Sequence, residues 1–99
     1  METITLQLRA RHFKDASFIN DQNCPIAHAA SEYFKIPRSR LSEGVDDLSI
    51  YSQNLWSEKR KFKHESYRAS DHDFDKRLAI KHNFDDTVIR EIVLNEVTV

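Results

Sequence analysis

The stretch Val88-Ile89-Arg90-Glu91-Ile92-Val93-Leu94-Asn95-Glu96-Val97-Thr98-Val99 decides the fold, because it reads either as a helix or as a closing strand. Val88, Ile89, Ile92, Val93, Val97, Thr98 and Val99 are β-branched, which favours a strand. Val88, Ile89, Ile92 and Val93 also fit one side of a helix, so the first half stays open and the second half reads as strand. At the other end of the chain, Thr3 to Ala10 alternates without ambiguity. Ile4, Leu6, Leu8 and Ala10 point one way and Thr3, Thr5, Gln7 and Arg9 the other, the pattern of a half-buried strand.

Working inward, Asn23-Cys24-Pro25 reads as a helix start, with Asn or Cys at the cap and Pro25 in the first turn, where its missing N–H has no partner to lose. Ile26, Ala27, Ala30, Tyr33 and Phe34 follow at helical spacing, and Pro37 ends the run. The preceding polar stretch, Lys14 to Asn23, is a loop that Phe18 and Ile19 pin to the core. Arg38 to Gly44 is polar, with a turn at Glu43-Gly44. Val45 to Gln53 reads as a second strand with Leu48 and Ile50 on one face. A turn near Ser52-Gln53-Asn54 joins it to a third, Leu55 to Arg68. Ser70 with Asp73 resembles a capping box opening a second helix. Phe74, Leu78 and Lys81 or His82 form its inner face, Asn83 caps its end, and Asp85-Asp86 makes a turn.

The order is strand, helix, strand, strand, helix, strand. That predicts one α+β domain over residues 1–99, a ferredoxin-like antiparallel sheet with two helices on one face.

Composition narrows the function classes. The chain has 99 residues, 39% hydrophobic and 31% charged, enough apolar material for one core. The net charge of −1 gives no global attraction to nucleic acid, so any basic surface must be local. The single cysteine, Cys24, rules out an intramolecular disulfide. No apolar run approaches the roughly 20 residues that span a bilayer, so no membrane partner is expected. The alternating, acid-bearing start is unlike a signal peptide, which makes a cytoplasmic setting the expectation. Gly44 is the only glycine, so neither a P-loop nor a dinucleotide fingerprint is present.

Three groups of residues carry possible chemistry. Cys24 at a helix N-terminus with His28 one turn on is a candidate nucleophile and base, or two metal ligands. No motif supplies a third group, and a small buried cysteine is the plainer reading. Asp71-His72-Asp73-x-Asp75 contains cation ligands, but consecutive helical residues diverge, and first-turn acids that suit the helix dipole explain it better. No metal, cofactor or catalytic residue is therefore expected. The segment Trp56, Lys59, Arg60, Lys61, Phe62, Lys63, Tyr67 and Arg68 mixes basic and aromatic side chains, the ingredients of a partner-binding surface or of a single-stranded nucleic-acid platform. If Trp56, Phe62 and His64 share one strand face, the lysines at 59, 61 and 63 take the other.

The stretch Asn23-Cys24-Pro25-Ile26-Ala27-His28-Ala29-Ala30, after an alternating strand and a polar loop, resembles small uncharacterised proteins of bacteriophages and their bacterial relatives that share a Cys-Pro-Leu/Ile-Ala-x-Ala helix start. The resemblance implies a phage or mobile-element protein in a bacterial cytoplasm and brings no catalytic residues with it. The expected function is non-enzymatic protein binding, to a host protein (such as a defence-system component that it inhibits) or to a second copy as a homodimer. Single-stranded nucleic-acid binding through residues 56–68 is the alternative.

Overall fold

Antiparallel pairing brings the two ends of the chain together. In a computed structural model, which describes residues 1–18 and 22–99, β1 (Thr3–Arg9) lies beside β5 (Val88–Val97). Their register runs from Thr3 opposite Asn95 to Arg9 opposite Val88, with an irregularity at Leu8/Arg9. The tail is therefore strand from Val88 to Val97, including the half that also fitted a helix, and Thr98 and Val99 lie beyond it. Between them come α1 (Pro25–Phe34), β2 (Leu41–Glu43), β3 (Asp47–Tyr51), β4 (Glu58–Lys63) and α2 (Ala69–Lys81), with 3₁₀ turns at Ala10–Phe13 and Arg38–Arg40.

The protein is a small α+β domain with a five-stranded antiparallel sheet in the order β1-β5-β4-β3-β2. The ferredoxin-like arrangement expected from element order would place β1 inside the sheet, whereas here β1 is an edge. Alternation of side chains sets which face of a strand is buried but not which strand lies beside it. The extra strand, β2, escaped the sequence reading because it is three residues long with one apolar side chain, Leu41. The turn between β2 and β3 closes where the Gly44 N–H donates to the Asp47 carbonyl at 2.9 Å. A Cβ at Gly44 would collide with the Asp47 carboxylate.

One core lies on one side of the sheet. Ala27, Ala29 and Ala30 of α1 and Ala79 of α2 pack with Ile4, Leu6, Leu8, Leu48, Ile50, Phe62, Ile92 and Leu94. Full burial of each larger side chain is worth about 2 kcal/mol. The small residues of α1 allow close approach, and this helix packs on both edge strands, β1 and β2, so the sheet curls around it. Phe18 packs against the core as expected, while Ile19 lies outside the described residues.

The helix starts are built as their residues dictate. Cys24 caps α1, its Sγ accepting from the Ala27 N–H at 3.3 Å, and Pro25 follows. Lys35, at φ 57° and ψ 48°, ends α1 before Pro37 is reached. In α2 the cap falls earlier than the Ser70–Asp73 pair suggested: the Arg68 N–H donates to Asp71 Oδ2 at 3.0 Å. Its buried face is also rotated from the expected one. His72, Asp75 and Ala79 point inward, while Phe74 is 58% exposed. The buried Asp75 explains the difference. Arg90 of β5 reaches it through Nε at 2.6 Å and Nη2 at 3.2 Å, and the Tyr67 hydroxyl donates to it at 2.8 Å. With a cation supplied by another element, a carboxylate takes the inner position that apolarity alone would have given to Phe74.

Candidate binding site

The helix-free face of the sheet carries Thr3, Thr5, Gln7, Glu91, Val93, Asn95, Lys61 and Lys63, the complement of the core-facing rows. This face is broken by a cleft between β4 and β5. The Glu96 N–H donates to the Glu2 carbonyl at 2.8 Å, so even-numbered residues of β5 turn their backbone groups toward β1. Odd-numbered residues therefore turn theirs toward β4. Lys61–Lys63 of β4 meet Val97–Asn95, and there the ladder stops. Glu91 and Val93 are left with N–H and C=O groups aimed at a gap.

The parting falls at His64. Its Nε2 lies 2.9 Å from Glu43 Oε1 of β2, and its Nδ1 2.6 Å from the Glu65 carbonyl. With acceptors on both nitrogens, the ring is best satisfied as an imidazolium. Burial by itself would lower its pKa, but the hydrogen bonds to Glu43 and the Glu65 carbonyl, with the charges of Glu43 and Asp47, raise it overall. The backbone follows the side chain: the His64 N–H donates to the Asp46 carbonyl and the Tyr67 N–H to the Val45 carbonyl. Residues 64–67 thus track the β2–β3 turn and leave β5. A cleft of about 450 Å³ opens between Lys63, Glu65 and Tyr67 on one side and Glu91, Ile92 and Val93 on the other.

The cleft has a definite charge. Arg90 is committed to Asp75 and lies 3.8 Å from Asp71, and Lys63 leans on Asp47 at 3.8 Å. Glu91 accepts a hydrogen bond from Gln7 at 3.2 Å. Among the described residues neither Glu65 nor Glu91 has a cationic partner. These two carboxylates outnumber the one lysine charge that Asp47, shared by Lys61 and Lys63, leaves unmatched, so the mouth is net negative.

The residues singled out from sequence separate into different places. Trp56 is 80% exposed at the β3–β4 turn, where its N–H closes onto the Gln53 carbonyl at 2.7 Å, close to the expected hairpin turn. Lys59 is exposed. Arg60 is on the core side, bridging Glu2 and Glu96 and lying over the Phe34 and Phe62 rings. Phe62 and Tyr67 are buried and have no ring face to offer a partner. Arg68 is exposed at the start of α2. Lys61 and Lys63 stand on the open face, opposite Phe62, so charges and rings do not share one platform. Lys63 and Tyr67 are the two that border the cleft. Glu65, Glu91 and Val93 were missed, because their importance arises from a break in pairing between segments far apart in sequence.

The other two groups hold no assembled chemistry. Burial, with the nearby Glu43 charge, pushes the Cys24 thiol up to about 12, well away from a reactive thiolate. His28 Nε2 lies 2.8 Å from Asn23 Oδ1 and 3.3 Å from Arg38, and burial and Arg38 lower its pKa. Asp71 and Asp75 are occupied by the α2 cap and by Arg90. Among the described residues no three His, Cys, Asp or Glu side chains converge as metal ligands would, and no helix is long and apolar enough to cross a membrane. No family model matches this chain, and no curated protein or solved structure is measurably similar to it.

Proposed function

We propose that this protein is a non-enzymatic module that binds another protein through the helix-free face of its sheet, at the cleft where β4 and β5 part. The observation behind this reading is the backbone of Glu91 and Val93, unpaired on the β4 side among the described residues, beside an exposed Val93 at 47% accessibility. Unfinished strand edges of this kind are a standard means of protein recognition. The helix start resembles that of phage-encoded proteins, and on that basis the partner is a host protein of the bacterial cytoplasm, held by an inhibitor-like contact. Burial of Phe62 and Tyr67 leaves Trp56 as the one exposed ring of residues 56–68, fewer stacking faces than a single-stranded nucleic-acid platform uses, which favours the protein-binding reading.

Capture from lysate, with and without nuclease, tests the reading. A protein retained after nuclease by the wild type and by Trp56→Ala, but lost from Val93→Asp, is the expected outcome. Retention of nucleic acid alone, lost steeply as salt rises, would replace protein binding with the alternative.

A further inference from the structure

Resting on that protein-binding reading, we infer that the β4–β5 cleft takes an extended, basic segment of the partner as an added strand beside β5. Three features of the cleft converge on this occupant. The first is the backbone. The N–H and C=O groups of Glu91 and Val93 face the gap, spaced as one edge of a ladder, and a strand running past them would pair with both.

The second is the pattern of side chains. A residue of the incoming strand opposite Val93 meets an exposed β-branched side chain, and one opposite Glu91 meets a carboxylate. The two positions are two residues apart, so a basic residue and an apolar one at i and i+2 share the open face. Opposite-charge and β-branched cross-strand pairs are favourable in antiparallel sheets. The third is charge. Glu65 on the far wall adds a second carboxylate without a cationic partner among the described residues, while Arg90 is committed to Asp75 and Lys63 shares Asp47 with Lys61. The cleft therefore selects Lys or Arg in the segment it accepts and disfavours acidic segments.

The test is selection from a displayed library of random linear peptides, followed by affinity measurement on three proteins. Wild type is expected to enrich sequences with Lys or Arg alternating with Val, Ile or another apolar residue. Val93→Pro removes the N–H that faces the cleft and no bond to β1, and is expected to weaken the enriched peptides by about tenfold or more. Glu65→Lys/Glu91→Lys alters no backbone group, keeps the claim testable if the proline variant folds poorly, and is expected to turn the preference toward acidic peptides. Enrichment of nothing, enrichment without the basic–apolar alternation, or wild-type affinity for the enriched peptides in both variants would overturn the inference. If the nuclease-resistant capture described above persists while the peptide experiment fails, strand addition is wrong and the binding-module reading stands. If both fail, neither survives.

Discussion

His72 shows what single residues contribute. Its ring lies against Phe13 and Phe18, at centroid distances of 5.9 and 5.6 Å, and its Nδ1 is buried without a hydrogen-bond partner among the described residues. Burial, and then the charge of Lys76, depress its pKa. Leaving a buried polar atom unsatisfied costs about 1 kcal/mol or more. His72→Phe is therefore expected to stabilise the protein by about 1 kcal/mol, read as a higher urea midpoint at neutral pH with an unchanged slope. An unchanged or lower midpoint would mean that the imidazole contributes more than its geometry shows. The sequence showed His72 only as one member of an acidic cluster. That it completes an aromatic group follows from the Ala10–Phe13 turn, the loop at Phe18 and α2 meeting in space.

At the scale of elements, ends are decided by local chemistry and faces by tertiary neighbours. Cys24-Pro25 opens α1 as its residue types dictate. Asn83 and Phe84, at φ 53° and 52°, reverse the chain after α2, with the Phe84 N–H returning to the Ala79 carbonyl, as the expected cap requires. Lys35 occupies the left-handed C-terminal position of α1, where a Cβ is unfavourable and glycine is the common choice. Lys35→Gly is expected to stabilise the fold by about 1 kcal/mol, and Lys35→Val to destabilise it. Thermal unfolding of the two variants beside wild type decides the point, and a Gly variant that melts lower would contradict it. The face of α2 was not open to such reasoning, since Phe74 and Asp75 exchange roles once Arg90 arrives from β5.

The histidines together set how the whole molecule answers to pH. Burial lowers His12, His28 and His72, with Arg38 adding to the effect at His28 and Lys76 at His72. A histidine with a lowered folded pKa contributes stability that is present above its unfolded value, about 6.5, and lost as pH falls toward the folded value. His64 works in the opposite sense. Its folded pKa is raised, so its contribution is complete below the unfolded value and lost as pH rises through the folded one. Three depressed groups against one raised group predict a less stable protein at pH 5.5 than at pH 7.5. Replacing His64 with Gln is expected to steepen that loss. Urea unfolding at the two pH values measures it, and equal or greater stability at the acid value would count against the burial assigned to these rings.

Sequence by itself determined the α+β class, both helix cores, the alternation of β1, the turn after Ser52 and the opposite placement of Phe62 and the lysines of β4. These follow from period, capping and turn chemistry, which act over a few neighbouring residues. Only the tertiary structure decided that β1 is an edge strand, that Leu41–Glu43 pairs as β2, that Asp75 turns inward and that β4 leaves β5 at His64. Each of these depends on a partner far away along the chain, such as β5 for β1 or Glu43 for His64. No local pattern encodes such a meeting, because its energy exists only when the two segments are already side by side.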